Sequence, residues 1–473
     1  MKFVLLIATA LVSTSLGLLA REPLDKPNII IIYLDDSGYG DFSHNGNPVI
    51  ETPNISKLAN QGVNFTQFYV ATAACSASRY SLLTGRYPGR SGLGSWVVGP
   101  ESKGHIRASE VTIADGLKSA GYKTGMFGKW HLGSPNGKNK MSQDTLPLAH
   151  GFDTWLGTNV SHDYGNSKLL KSDPNGNSPI KGYSEIAKNL PSDVATSTSL
   201  TGRYTAATVE FIKENKDKPF FAYVAHNQPH LGLFVSDEFK GKSKRGLLGD
   251  VMAEVDNSVE QILNTLESEG IQKNTLVIFS SDNGPWILFD EAKNHPKYGE
   301  ARTHVGYALP FRDGKGSTWE GGHRVPGVFY WPGVIEADRN LTPVSTLDVL
   351  PTVFALTGAK LPTDRSIDGR DIRSLLIPNI EKNLGEFEFL YSYTDNMPSA
   401  IRKGPWKLHI RIGSQKRDNY GYEASKAKPL LFNVEEDISE SIDRAAEQPE
   451  KVKELLGLIE KKTQQIKQEG VLK

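Results

Sequence analysis

Cysteine is almost missing from this chain: one residue, Cys75, in 473. That excludes an internal disulfide and a thiolate cluster for zinc. Stability has to come from a core, which a chain of this length can bury. An excess of one charge is missing too. Lys plus Arg and Asp plus Glu both number 54. No broad basic face awaits a nucleic acid, and any anion is met by a few placed cations. Internal repeats are absent. Beyond the N-terminus no run is apolar enough to cross a membrane. The N-terminus itself differs. Met1-Lys2 precedes an apolar stretch from Phe3 to Ala20, broken by Thr9, Ser13, Thr14, Ser15 and Gly17. This reads as a secretory signal peptide over 1–20, with an uncleaved anchor as the alternative. No cysteine lies near the cleavage region, so a lipid anchor is excluded. The mature chain is expected to start near Arg21, to be secreted or periplasmic, and to have no membrane contact after cleavage.

What is present is a pattern of buried strands. Asn28-Ile29-Ile30-Ile31-Ile32-Tyr33-Leu34 is a continuous apolar run, as in a parallel strand covered on both faces. Thr275 to Ser280, Phe220 to Ala225 and Lys123 to Gly128 repeat it. Helical spacing lies between them, over Ile55 to Gln61, Thr112 to Ala120 and, longest, Leu248 to Glu269. The alternation predicts an α/β fold with a large mixed, mostly parallel sheet sandwiched by helices. Ser167 to Ser199, rich in Asn, Ser, Gly and Pro, reads as an irregular excursion. From about Glu386 short antiparallel strands follow, over Phe387–Tyr393, Ser399–Lys403, Trp406–Ile412 and Pro429–Asn433. An amphipathic helix over Gln448–Gln468 closes the chain. The expected division is a main α/β domain over 21–385 and a small C-terminal α+β unit over 386–473.

In such sheets ligands bind beyond the carboxyl ends of the strands. The four strands run into Asp35-Asp36, Asp282-Asn283-Gly284, His226 with Pro229-His230, and Lys129-Trp130-His131. Asp-Asp and Asp-Asn-Gly each also read as plain solvated turns. Together, three carboxylates and an amide oxygen make an oxygen-only set suited to Ca²⁺ or Mg²⁺. Arg79, Lys129 and Lys315 read singly as surface charges. Glycines flanking Lys129 and Lys315 would permit close backbone approach to a ligand. His131 and His230 are the residue type for acid/base work near neutral pH, though a lone His is more often structural. Cys75 precedes a helix-like stretch, among small residues. A packed thiol and a functional one both fit.

Cys75-Ser76-Ala77-Ser78-Arg79 resembles Cys-x-(Pro/Ala)-Ser-Arg, the maturation motif of type I sulfatases. Further matching stretches are Pro27–Asp41, Thr52-Pro53-Asn54, Cys75–Arg90, Gly121–Gly133, Gly151–Gly157, Ser280–Gly284 and Gly314–Pro326. The chain resembles the formylglycine-dependent sulfatases of the alkaline phosphatase superfamily, near the arylsulfatase A and N-acetylgalactosamine-6-sulfatase branch, from about Lys26 to about Leu472. One departure is Ala77, where proline is commoner.

The resemblance implies an alkaline-phosphatase-like fold and a sulfuric ester hydrolase. Asp35, Asp36, Asp282 and Asn283 would bind a divalent cation, usually Ca²⁺, with Mg²⁺ as the alternative. Cys75 would be oxidised to Cα-formylglycine by a separate maturation enzyme, a transient partner, and would itself touch the cation. Arg79 and Lys129 would hold the formylglycine and its sulfate adduct. His131 would be the base at its hydroxyl, and His230 the acid at the leaving alcohol. Lys315 and His230 would contact the sulfate, and Ser161, in Ser161-His162-Asp163, would touch it as well. The expected substrate is a sulfated saccharide. Trp96, Trp286, His162 and Tyr164 fall in loops near the mouth, where they either stack on sugars or fill the rim. A formylglycine-dependent phosphonate or phosphate ester hydrolase is the alternative activity, and an unmatured sulfatase-like binding protein the non-catalytic one. Asn54, Asn64, Asn159 and Asn340 stand in Asn-x-Ser/Thr sequons.

Overall fold

The computed structural model describes residues 26–99, 102, 104–133, 143–287, 304–381, 383–413 and 428–470. The expected signal peptide lies outside them. No helix among the described residues is long and apolar enough to cross a membrane.

Seventeen strands are described: β1 (Asn28–Leu34), β2 (Val63–Phe65), β3 (Phe68–Tyr69), β4 (Lys123–Gly128), β5 (Thr154–Thr158), β6 (Lys168–Ser172), β7 (Tyr183–Lys188), β8 (Phe220–Ala225), β9 (Thr275–Ser281), β10 (Arg324–Val325), β11 (Gly327–Tyr330), β12 (Asp338–Asn340), β13 (Val344–Ser345), β14 (Glu388–Ser392), β15 (Pro398–Lys403), β16 (Trp406–His409) and β17 (Leu430–Asn433). Ten of them form one sheet in the order β12-β2-β11-β9-β1-β8-β4-β5-β6-β7. Its five central strands, β9-β1-β8-β4-β5, are all parallel, while β11 and β6 run against them and β7 pairs antiparallel with β6. Strands buried on both faces need apolar side chains in succession, and β1 supplies them. Ile29, Ile31 and Tyr33 enter one core, and Ile30, Ile32 and Leu34 the other. Each such burial contributes about 1.5–3 kcal/mol.

Helices cover both faces. Helix α1 (Pro53–Gln61), α2 (Cys75–Thr84), α3 (Ile113–Ser119), α4 (Val194–Thr198), α5 (Leu200–Asn215) and α6 (Leu247–Ser268) are the first six. Side chains of α2 and α3 pack into the first core, with the helix Val349–Thr357; those of α1, α5 and α6 pack into the second. Thr112 caps α3 rather than lying in it, its hydroxyl accepting from Asp115 N–H.

One expectation is overturned. The stretch 167–199 is not an irregular excursion: it holds β6, β7 and the short α4. Leu169, Leu170 and Tyr183 are buried there, and three apolar anchors suffice to seat an edge pair whose connecting turn carries the polar residues. The C-terminal strands form a separate antiparallel sheet, β14-β15-β16-β17, against which the helix Pro449–Glu469 packs Leu455, Ile459 and Ile466. Asn64 and Asn159 are buried and Asn54 donates its side-chain amide to Asp256, so these three sequons do not offer free surface acceptors.

Candidate active site

Because β9, β1, β8 and β4 are neighbours and parallel, their carboxyl ends share one edge of the sheet. Asp35 and Asp36 leave β1, Asp282 and Asn283 leave β9, and Lys129 and His131 leave β4. Asp36 and His131 both take left-handed backbone angles, with φ of 63° and 59°. These are uncommon for non-glycine residues and turn the chain sharply after each strand. Lys129 N–H donates to Ala225 O, and His131 N–H to Asn159 O, which pins the Lys129–His131 segment between β8 and the segment after β5.

Cys75 is the first residue of α2, which begins without a side-chain cap and ends at Gly85. Its sulfur lies 3.4 Å from Asp35 Oδ1, 3.9 Å from Asp36 Oδ1 and 3.2 Å from Lys315 Nζ. Cations interleave with the carboxylates. Lys129 Nζ is 2.5 Å from Asp35 Oδ2, Lys315 Nζ is 2.8 Å from Asp36 Oδ2, and Arg79 forks onto Asp282 Oδ2 at 2.7 and 3.0 Å. Arg79 also lies over the Tyr33 ring, 5.7 Å from its centre. All of these side chains are buried.

Burial shapes the proton inventory. It would raise the Asp35 carboxyl, but Lys129, with His230, Arg79 and Lys315, holds that group well below the usual carboxylate range. It pushes the Cys75 thiol well up, so the thiol stays neutral despite Lys129 and Lys315. Burial, then the Lys129 charge, push His131 well down; burial and Lys315 lower His230. Both shifts favour the neutral imidazole. Neither nitrogen of His131 has a hydrogen-bond partner among the described residues, and neither does Ser161 Oγ. His230 Nδ1 faces Leu231 O at 2.5 Å, and its Nε2 lies 3.5 Å from Asp36 Oδ2.

Asp35, Asp36, Cys75 and His230 present donor atoms all within 4.8 Å of one another. Asn283 donates to Asp36 Oδ1 at 2.7 Å, while its own Oδ1 is buried without a partner among the described residues. An orphaned acceptor beside three carboxylates fits a cation. Asp282 stands outside the four-residue group. Its Oδ1 accepts Asp36 N–H at 3.0 Å, and its Oδ2 is taken by Arg79.

The glycines have a different use from the one expected. A Cβ on Gly128 (φ +124°) would lie 1.8 Å from Ala225 O, and one on Gly314 would lie 2.2 Å from Pro285 O. They let protein backbone approach protein backbone, not a ligand. Of the four aromatic candidates, Trp96 packs on Tyr393 at 5.4 Å between ring centres. His162 is buried, with Nε2 on Gly232 O at 2.8 Å. Half-buried rings edge the site elsewhere: Trp286 lies 5.5 Å from His230 and 4.8 Å from Lys315 Nζ, Tyr164 is 5.9 Å from His131, and Phe234 is 5.7 Å from His162. The sequence reading missed Phe234 and Tyr33, which stand in ordinary core-like stretches.

The sulfatase family matches residues 27–359, and the C-terminal region of aryl-sulfatase matches residues 385–471. Arylsulfatase A of Bos taurus is 35% identical over 456 residues, covering 92% of this chain and 85% of that protein. N-acetylgalactosamine-6-sulfatase of Mus musculus is 36% identical over 420 residues, covering 85% and 75%. A solved Bacteroides thetaiotaomicron structure, from work on the metabolism of multiple glycosaminoglycans, superposes with a TM-score of 0.77 at 27% identity, covering 93% of this chain and 99% of that one.

Proposed function

The chain belongs to the sulfatase family and is a sulfuric ester hydrolase, and from that premise we propose that it is an exported enzyme that desulfates a sulfated saccharide through a formylglycine made from Cys75. The observation that carries this reading is the place of the Cys75 sulfur, between the carboxylates of Asp35 and Asp36 and the ammonium of Lys315. As formylglycine hydrate, residue 75 would supply two hydroxyls, one as nucleophile and one through which sulfate could leave. Asp35, Asp36, Asp282 and Asn283, with residue 75, would hold a divalent cation, Ca²⁺ or Mg²⁺, which would supply Lewis-acid charge.

The protein's own groups account for the rest. Three carboxylates face three cations, Arg79, Lys129 and Lys315. Adding a divalent cation makes this set positive, which suits an anionic ester in a low-dielectric pocket. Lys315 and Lys129 hold sulfate oxygens, and Ser161 Oγ offers a further hydrogen bond. Arg79 holds Asp282 and residue 75 in register. Neutral His131 takes a proton from the residue 75 hydroxyl. His230, in its imidazolium form with a proton on Nε2 facing Asp36, would give that proton to the leaving alcohol and regain one from water. Trp286, on the His230 side, offers a ring on which a sugar face can stack. The saccharide reading is supported by the names of the mouse relative and the Bacteroides neighbour.

The test is a desulfation screen of matured protein on defined sulfated oligosaccharides, with phosphate esters of the same alcohols alongside. Sulfate release from a saccharide supports the reading. Preferential hydrolysis of the phosphate or phosphonate esters would replace it with the alternative activity.

A further inference from the structure

Lys315 sits on a loop that three separate parts of the protein grip. Lys315 N–H donates to Pro285 O at 2.9 Å, just after Asn283. Gly316 N–H donates to Ala73 O at 2.7 Å, two residues before Cys75. The third grip comes from the C-terminal sheet. Thr318 N–H donates to Gly413 O at 3.0 Å, and Gly413 N–H returns to Thr318 Oγ1 at 3.2 Å. The same hydroxyl lies 3.2 Å from His409 Nδ1, whose Nε2 lies 2.8 Å from Glu440 Oε1. Glu440 Oε2 accepts Glu320 N–H at 2.7 Å, two residues beyond Thr318. Thr318, His409 and Glu440 are all buried.

We infer that Thr318, held by the His409–Glu440 pair of the C-terminal sheet, is a positioning residue for Lys315. With a neutral imidazole the donors and acceptors match throughout. The Glu440 carboxylate accepts the Nε2 proton, which leaves Nδ1 as an acceptor for the Thr318 hydroxyl, whose lone pair accepts Gly413 N–H. Burial favours this neutral imidazole by lowering the His409 pKa. Thr318 is thereby fixed in rotamer as well as position, and Lys315 is three residues away. The C-terminal unit thus sets where the ammonium stands over residue 75, although none of His409, Gly413 and Glu440 enters the site.

The inference rests on Lys315 being a sulfate-binding group, so the experiment separates the two claims. The full-length matured protein is assayed for inhibition by inorganic sulfate, as wild type, Thr318→Val, Thr318→Ser, Lys315→Ala and Lys315→Ala/Thr318→Val. Small displacements of a binding group cost up to about 100-fold; Thr318→Val is expected to raise the inhibition constant about tenfold on that scale, and Thr318→Ser to restore it. In the Lys315→Ala background the valine should add nothing further. A Lys315→Ala variant with unchanged sulfate affinity would remove the underlying reading. Lowered affinity in Lys315→Ala, with Thr318→Val unchanged or equally damaging in both backgrounds, would overturn this inference alone. Should Thr318→Val not fold, His409→Gln serves, since one amide cannot reach both Glu440 and Thr318. It is expected to raise the inhibition constant in the wild-type background only, and any other pattern counts against the inference.

Discussion

Lys315 Nζ lies 3.2 Å from Cys75 Sγ, although 240 residues separate them in the chain. That contact joins the segment between β9 and β10 to the first turn of α2. It places a positive charge beside residue 75, whose Cβ is proposed to become the carbon that carries the nucleophile.

Asp282→Ala removes a proposed ligand and also strips Arg79 of its forked partner. Cation affinity should fall by at least about tenfold, the range seen when groups around a metal are lost, and activity should fall with it. Calorimetric titration with Ca²⁺ reads the first and aryl sulfate turnover the second. Unchanged cation affinity would take Asp282 out of the ligand set.

His230→Ala tests the acid. General acid catalysis contributes about 10²–10⁴-fold where the leaving group is poor, and little where it is good. Rates on a sugar sulfate should drop by about 100-fold or more, and those on an activated aryl sulfate much less. Equal losses on both would deny His230 the proton-donor role.

Gly128→Ala tests the backbone that presents Lys129. The residue has φ of +124°, and a Cβ would meet Ala225 O at 1.8 Å. Strain plus a backbone clash belongs to the small class of substitutions that cost about 4 kcal/mol or more. Urea unfolding should show that loss; a value near 1 kcal/mol would mean that β4 and β8 part easily.

Acid sensitivity should trace to Glu320. This buried carboxylate meets Lys407 Nζ at 2.9 Å. Burial alone would raise its pKa, but Lys407, Arg324 and Arg402 hold it far below the ordinary 4.5. A depressed native pKa contributes stability that is complete above the unfolded value, near about 4.3, and is lost as pH falls through the native one. Glu320→Gln, which takes a buried charged partner from Lys407 and Arg324, should therefore cost about 3 kcal/mol at pH 7. The gap to wild type should narrow as pH drops below about 4. Denaturant unfolding at several pH values measures it, and a gap that widened in acid would reverse the assignment.

The parallel core was legible because its strands announce themselves. Four apolar runs, each ending on acidic, basic or imidazole residues, become β1, β4, β8 and β9 with little change of boundary. That these ends share an edge follows from parallel pairing, and so the meeting of Asp35 and Lys129 was in reach; Cys75 and Lys315, on a helix and a loop, were added only by the family resemblance. Local composition failed at β6 and β7, where a polar turn outweighs a few apolar anchors in the count. It failed again at the flanking glycines, whose neighbour is Ala225 or Pro285 backbone that no local window contains. The grip of His409 and Glu440 on Thr318 was also out of reach. Each residue alone looks like surface polarity, and only the docking of the C-terminal sheet brings them together.

The most direct measurement pairs peptide mass spectrometry of residue 75 with sulfate release, across preparations made with and without the maturation enzyme. Turnover should rise in proportion to the fraction of chains carrying formylglycine at 75, and Cys75→Ala should fold but release nothing. Full hydrolysis by protein whose Cys75 is intact would contradict the account.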